Sequence, residues 1–185
     1  MGYYHKDRLF KFSLSLYDAG MYGIDVNGDI GFDFCPDYWE LRMGYPRALQ
    51  GNISDYASVW FGLVIRSSSI DESFIKAQTG FSFDTGDITL GIVFLRAYLA
   101  VGGEGYYNFD SGALYLHVFL RGGVEGGVKA LGKRFRVISL MLEAEGTLQK
   151  TSNWKLDASA RIYYHVDLWL TDIGGSIGWG ISETF

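Results

Sequence analysis

Hydrophobic and polar residues alternate with a period of two over long runs of this chain, most clearly in its C-terminal half. From Trp154 to Leu170 the even positions read Trp154, Leu156, Ala158, Ala160, Ile162, Tyr164, Val166, Leu168 and Leu170. The odd positions read Lys155, Asp157, Ser159, Arg161, Tyr163, His165, Asp167 and Trp169. A strand sends these two sets to opposite faces, whereas a helix would mix them.

The turns between such runs predict a register. Phe109–Leu114 reads as a turn that pairs Phe109 with Leu114, Tyr107 with Leu116, Val101 with Gly122 and Leu99 with Val124. Phe83–Ile88 pairs Phe83 with Ile88 and Phe81 with Leu90. A loop at Leu131-Gly132-Lys133 pairs Val124 with Leu140 and Gly122 with Leu142. A loop at Lys150-Thr151-Ser152 pairs Leu148 with Trp154 and Leu140 with Ile162. Thr171-Asp172 pairs Leu170 with Ile173 and Val166 with Ile177. All of these turns keep one face apolar, which a wrong parity would not do.

The N-terminal half is less regular. Phe10, Phe12, Leu14 and Leu16 alternate with Lys11, Ser13 and Ser15, and Asn27-Gly28-Asp29 can close a hairpin pairing Val26 with Ile30, Ile24 with Phe32 and Tyr22 with Phe34. Trp39, Leu41, Met43 and Tyr45 form one alternating set. After a long connection from Pro46 to Asp55, Val59, Phe61, Leu63 and Ile65 form another. The expectation is a single all-β domain over residues 1–185: an up-and-down antiparallel meander of about ten long strands, closed as a barrel. The alternative is a soluble β-sandwich or large curved sheet.

The opposite face carries the charges. Arg121 falls across from Glu143, Glu143 diagonal to Arg161, and Glu145 diagonal to Lys155. Such cross-strand pairs contribute a few tenths to about 1 kcal/mol each. Glu143→Leu is therefore expected to destabilise the fold more than Glu40→Leu, which lies on a shorter strand.

Composition agrees with β structure: aromatics are 17% of the chain, with 25 glycines and 2 prolines. A net charge of -5 excludes a phosphate-neutralising nucleic-acid surface, and the cluster Lys129, Lys133, Arg134 and Arg136 reads as solvated turn charges. The single cysteine, Cys35, has no nearby histidine and reads as structural. Asp25, Asn27 and Asp29 space oxygen ligands as a calcium loop does, but Ile30 stands where an EF-hand needs glycine. The competing reading is a turn with acidic side chains in water. His5, His117 and His165 converge on no nucleophile, and Glu143, Glu145 and Asp157 each have a basic neighbour, so an ion-pair ladder is expected rather than acid–base catalysis. Gly102-Gly103-Glu104-Gly105 lies within a strand and is no phosphate loop. No enzyme activity, cofactor or metal is expected.

The remaining question is what covers the apolar face. Tyr107, Phe109 and Trp154 form one aromatic band, and Tyr164 with Trp179 a second. Trp154 and Tyr164 are about 33 Å apart along the strand, or about 25 Å at a barrel tilt, the height of an outer-membrane apolar belt. The last strand places Ile177, Trp179, Ile181 and Phe185 on alternate positions, with Glu183 interrupting. This resembles the C-terminal strand of bacterial outer-membrane β-barrels. The resemblance implies an outer-membrane location, lipid or detergent on the apolar face, and a structural, narrow-pore or small apolar ligand-transport role. Arg121, Glu143, Arg161, Glu145 and Lys155 would then be a lumen network.

Opposing features are the absence of a signal peptide in Met1–Arg8, the tight turns, and Trp60, Val64, Val93, Leu95 and Val101, which are expected to crowd a lumen. These favour the alternative of an extracellular or cytoplasmic β module of a larger surface, assembly or lipid-carrying protein, with self-association or neighbouring domains as partners. No run of about eighteen apolar residues predicts a membrane helix.

Overall fold

A computed structural model describes residues 2–4, 9–21, 24–45, 47–167 and 171–185. Among them the chain is all antiparallel β-sheet: β1 (Gly2–Tyr4), β2 (Leu9–Met21), β3 (Ile24–Cys35), β4 (Tyr38–Met43), β5 (Leu49–Ser54), β6 (Ala57–Ser68), β7 (Phe74–Asp84), β8 (Ile88–Leu90), β9 (Val93–Asn108), β10 (Leu114–Ala130), β11 (Lys133–Lys150), β12 (Trp154–Asp167) and β13 (Asp172–Thr184). The strands follow one another in a meander. β4 and β5 both lie between β3 and β6, as two halves of one interrupted strand, and β8 continues the β7 edge along β9. Counted that way, ten long strands remain beside the short β1, as the alternation predicts. Among the described residues no ladder joins β13 to β1 or β2.

The register differs from the sequence expectation by even steps. The β10–β11 hairpin pairs Val124 with Leu140 and Gly122 with Leu142 as expected. The β9–β10 hairpin pairs Tyr107, not Phe109, with Leu114, and Val101 with Leu120. There the Asn108 side-chain carbonyl accepts from the backbone N–H groups of Asp110 and Ser111, both at 2.9 Å, which holds a wider loop. Leu148 pairs with Leu156 rather than Trp154, and Val166 with Ile173 rather than Ile177. Phe83 does not pair with Ile88. It faces Leu99 on β9, while Ile88 faces Leu95, because left-handed Gly86 and Gly91 (φ 59° and 62°) allow two successive turns. No hairpin forms at Asn27–Asp29. β3 runs straight through Gly28, where a Cβ would lie 2.7 Å from Leu49 Cα, so the connection to β5 can cross closely. His5, Tyr22, Pro46, Leu168 and Leu170 lie outside the described residues.

Because each shift is by two or four residues, the two faces keep their chemistry. One face carries Phe12, Phe32, Leu41, Ile65, Ile75, Tyr107, Leu114 and Trp154 along a single row of pairings. On β6, β7, β9, β10 and β12 this face holds no charged residue, and on β11 only Lys133 and Lys150, at the two strand ends. A β-bulge at Gly126/Gly127 preserves that separation: it places Val137 outside the pairing, so that Phe135 joins Val128 on the apolar face while Arg134 and Arg136 turn to the charged one.

Burial is inverted relative to a soluble sheet. Asp33 (4% exposed), Glu40 (3%), Val64 (7%) and Phe94 (1%) are buried, and all lie on the charged face. On the apolar face Val118 is 60% exposed, Trp179 63% and Ile177 66%. Among the described residues every strand belongs to one sheet.

Candidate functional site

The charged face is organised in three zones. Near the β3–β4 turn, Asp33 pairs with Glu40 across β3 and β4, and Arg42 stands two residues from Glu40 on the same face. Arg42 donates to Asp33 Oδ2 and to Glu40 Oε1, each at 3.0 Å. From β6, Arg66 Nε donates to Glu40 Oε2 at 2.6 Å, and its Nη1 reaches Asp71 at 3.4 Å. Lys11 Nζ on β2 completes the cluster, 3.5 Å from Asp33. Two buried carboxylates thus meet three cations on neighbouring strands, all contacts to Asp33 falling on Oδ2 while its Oδ1 is buried without a hydrogen-bond partner.

In the middle, Trp60, Gly80, Gly102 and Phe119 form one row across β6, β7, β9 and β10. A Cβ on Gly80 would lie 2.0 Å from the Trp60 ring. The two glycines therefore leave a trough in which the Trp60 ring lies flat, stacked on Phe119 at 6.5 Å between centroids.

At the opposite end, Arg96 forms a bidentate pair with Asp84, and Arg134 donates to Glu125 at 2.6 Å. Lys129 Nζ lies 2.8 Å and Arg134 Nη2 3.2 Å from Asp87. The hydrogen bond from Lys129 holds the Asp87 carboxyl below the ordinary aspartate range. The Arg134 guanidinium lies 4.2 Å over the ring of Phe94. Of the basic cluster expected to be solvated turn charges, Lys129, Arg134 and Arg136 are thus tied into the charged face, while Lys133 lies on the apolar one.

The sequence-selected network is looser. Arg121 lies across from Glu143 as expected, with Nε at 3.8 Å from Oε1, and both side chains are exposed. Arg161 is directly across from Glu143, not diagonal to it, and its Nη1 is 3.4 Å from the Tyr163 hydroxyl. Glu145 and Lys155 do not meet, because the two-residue shift brings Ser159 opposite Glu145. Ser159 Oγ donates to Glu145 at 3.4 Å, His117 Nε2 is 3.9 Å away, and Lys155 pairs with Asp157 at 2.8 Å. His165 Nδ1 is 3.1 Å from Asp172. Ser139 lies directly across from His165, and Thr147 from His117.

Asp29, read as a calcium ligand with Asp25 and Asn27, accepts from Arg47 at 3.1 Å and from Ser15 at 2.8 Å. Among the described residues no group of three or more His, Cys, Asp or Glu side chains could hold a metal.

On the apolar face, Tyr107, Leu114, Lys150 and Trp154 share a row, Phe109 packs edge-on against Tyr107 at 5.4 Å, and Phe185 joins through reciprocal backbone bonds with Trp154. The second band is corrected. Tyr164 pairs with Gly175, while Trp179 pairs with Ala160, four residues away and between the bands. Val93, Leu95 and Val101, expected to crowd a lumen, lie on the apolar face, leaving Trp60 and Val64 on the charged one.

No protein-family model, curated protein or solved structure matches this chain.

Proposed function

We propose that this chain is an outer-membrane-type β-barrel wall whose apolar face meets lipid acyl chains and whose charged face lines the interior, with a structural or narrow-pore role and no catalysis. The observation that carries this reading is the inverted burial. Asp33, Glu40, Val64 and Phe94 are buried on one face, while a field of Leu, Ile, Val and aromatic side chains lies open on the other. In water an exposed apolar patch beyond a few hundred Å² is an association liability; against lipid it is the required surface. The Asp33–Glu40 cluster, the Trp60–Phe119 stack and the Asp87–Arg134 cluster occupy successive levels of the interior, which makes a wide aqueous channel the poorer version of this function and a narrow or plugged one the better.

The test compares single-tryptophan variants in vesicles containing bromine-labelled acyl chains. Trp179 fluorescence should be quenched strongly and Trp60 fluorescence weakly. Equal quenching of the two, or none at Trp179, would reject the reading. The second reading, a β module of a larger surface or lipid-carrying assembly, is favoured by the edge of β13, which no ladder of the described residues covers, and predicts a chain that does not enter vesicles at all.

A further inference from the structure

All thirteen residues of β13 are exposed, and the ladder with β12 has no bulge. Trp154 and Phe185 exchange both backbone hydrogen bonds, so the odd-numbered residues of β13 direct their N–H and C=O groups towards β12. The even-numbered residues, Asp172, Gly174, Ser176, Gly178, Gly180, Ser182 and Thr184, direct theirs to the free edge. Apart from Asp172, every one is glycine, serine or threonine, so no bulky side chain hinders the approach of another backbone.

Sheet edges left in solvent are ordinarily guarded by lysine, proline, a bulge or an inward charge. Over Asp172–Thr184 the strand has no lysine, arginine or proline and no bulge, and its two charges, Asp172 and Glu183, stand at its ends. The other side of the sheet differs, since β1 already covers β2 at Leu9–Lys11. We propose that the free edge of β13 pairs antiparallel with β13 of a second copy of this chain, across a two-fold axis perpendicular to the sheet.

Three features favour a second copy. An antiparallel two-fold pairing matches even residues with even residues, so the outward-directed backbone groups of both strands meet. It keeps Ile173, Ile177, Trp179 and Ile181 of both copies on one apolar face. And the charged-face side chains that would meet at the seam, from Gly174 to Ser182, are uncharged, so the strand does not repel its own copy. This is the self-complementarity an isologous contact requires. The inference goes beyond the lipid-facing reading and is tested in whichever medium, buffer or detergent, keeps the chain folded.

The experiment measures molar mass by light scattering and cross-linking. The parent chain should be a dimer. Ser176→Pro removes an outward N–H while leaving the odd-numbered bonds to β12 in place, and should give a monomer with an unchanged β-sheet circular dichroism spectrum. Should that variant misfold, Ser176→Cys in a Cys35→Ser background answers the same question: a short bis-maleimide should give a covalent dimer. A monomeric parent, a dimer that survives Ser176→Pro in a folded chain, or the absence of a covalent dimer from Ser176→Cys overturns the proposal. So does an intrachain disulfide between Ser13→Cys and Ser176→Cys, which would show β13 closing on β2 of its own chain.

Discussion

Arg66 on β6 donates from Nε to Glu40 Oε2 on β4 at 2.6 Å, and this Glu40 carboxylate, also held by Arg42, is among the least exposed side chains of the described residues. The relationship reverses the stability order expected from strand length. Glu40→Leu removes the buried carboxylate to which both Arg42 and Arg66 donate, and should cost about 3 kcal/mol, as for a broken buried pair. Glu143→Leu removes a 3.8 Å contact between exposed groups and should cost about 0.5 kcal/mol. Melting temperatures or denaturant midpoints of the two variants check this. Equal losses would show that the Glu40 cluster is not enclosed.

The Trp60 ring occupies the space above Gly80. Gly80→Ala should therefore be destabilising by about 1–3 kcal/mol, as overpacking is, and close to neutral in a Trp60→Ala background. A double-mutant cycle measures the difference. Additive effects would mean that the ring does not lie in the trough.

The bulge at Val137 keeps Arg134 and Arg136 off the apolar face. Deleting Val137 leaves Ile138 opposite Gly126 and Arg136 opposite Gly127 in a regular ladder, with every side chain still on its own face, so the variant should fold with an unchanged circular dichroism spectrum. A deletion variant that fails to fold would contradict the bulge.

Asp87 lies in the connection between β7 and β8, and its carboxyl titrates below the ordinary aspartate range because Lys129 and Arg134 favour its charged form. A depressed folded pKa means that its stabilisation is fully present above the unfolded value of about 3.9 and is lost as pH falls through the lower folded value. The melting temperature of the parent chain should therefore exceed that of Asp87→Asn at pH 6, with the gap closing below about pH 3.5. A gap unchanged down to pH 2.5 would remove Asp87 from the cluster.

The faces of this sheet were legible in the sequence, and the pairings only partly so. Alternation fixes parity, and a slip of two residues at Asn108–Ala113 or four at Asp167–Asp172 leaves every side chain on its own face, so the pattern cannot detect it. The Arg121–Glu143 pair was legible because it sits in the hairpin closed by Leu131-Gly132, whose net register the alternation gives correctly. The Glu40 cluster was not. It depends on β4 pairing with β6 across the interruption that contains β5, a long-range relation that no local turn announces. The Trp60 trough likewise needs Gly80 and Gly102 aligned by separate ladders.

The central claim, that lipid covers the apolar face, is tested most directly by the medium in which the purified chain is folded. The account predicts a chain that aggregates in plain buffer, becomes monodisperse in detergent, and migrates differently on a gel when unheated and heated. A chain that is monodisperse and folded in buffer without detergent would contradict it.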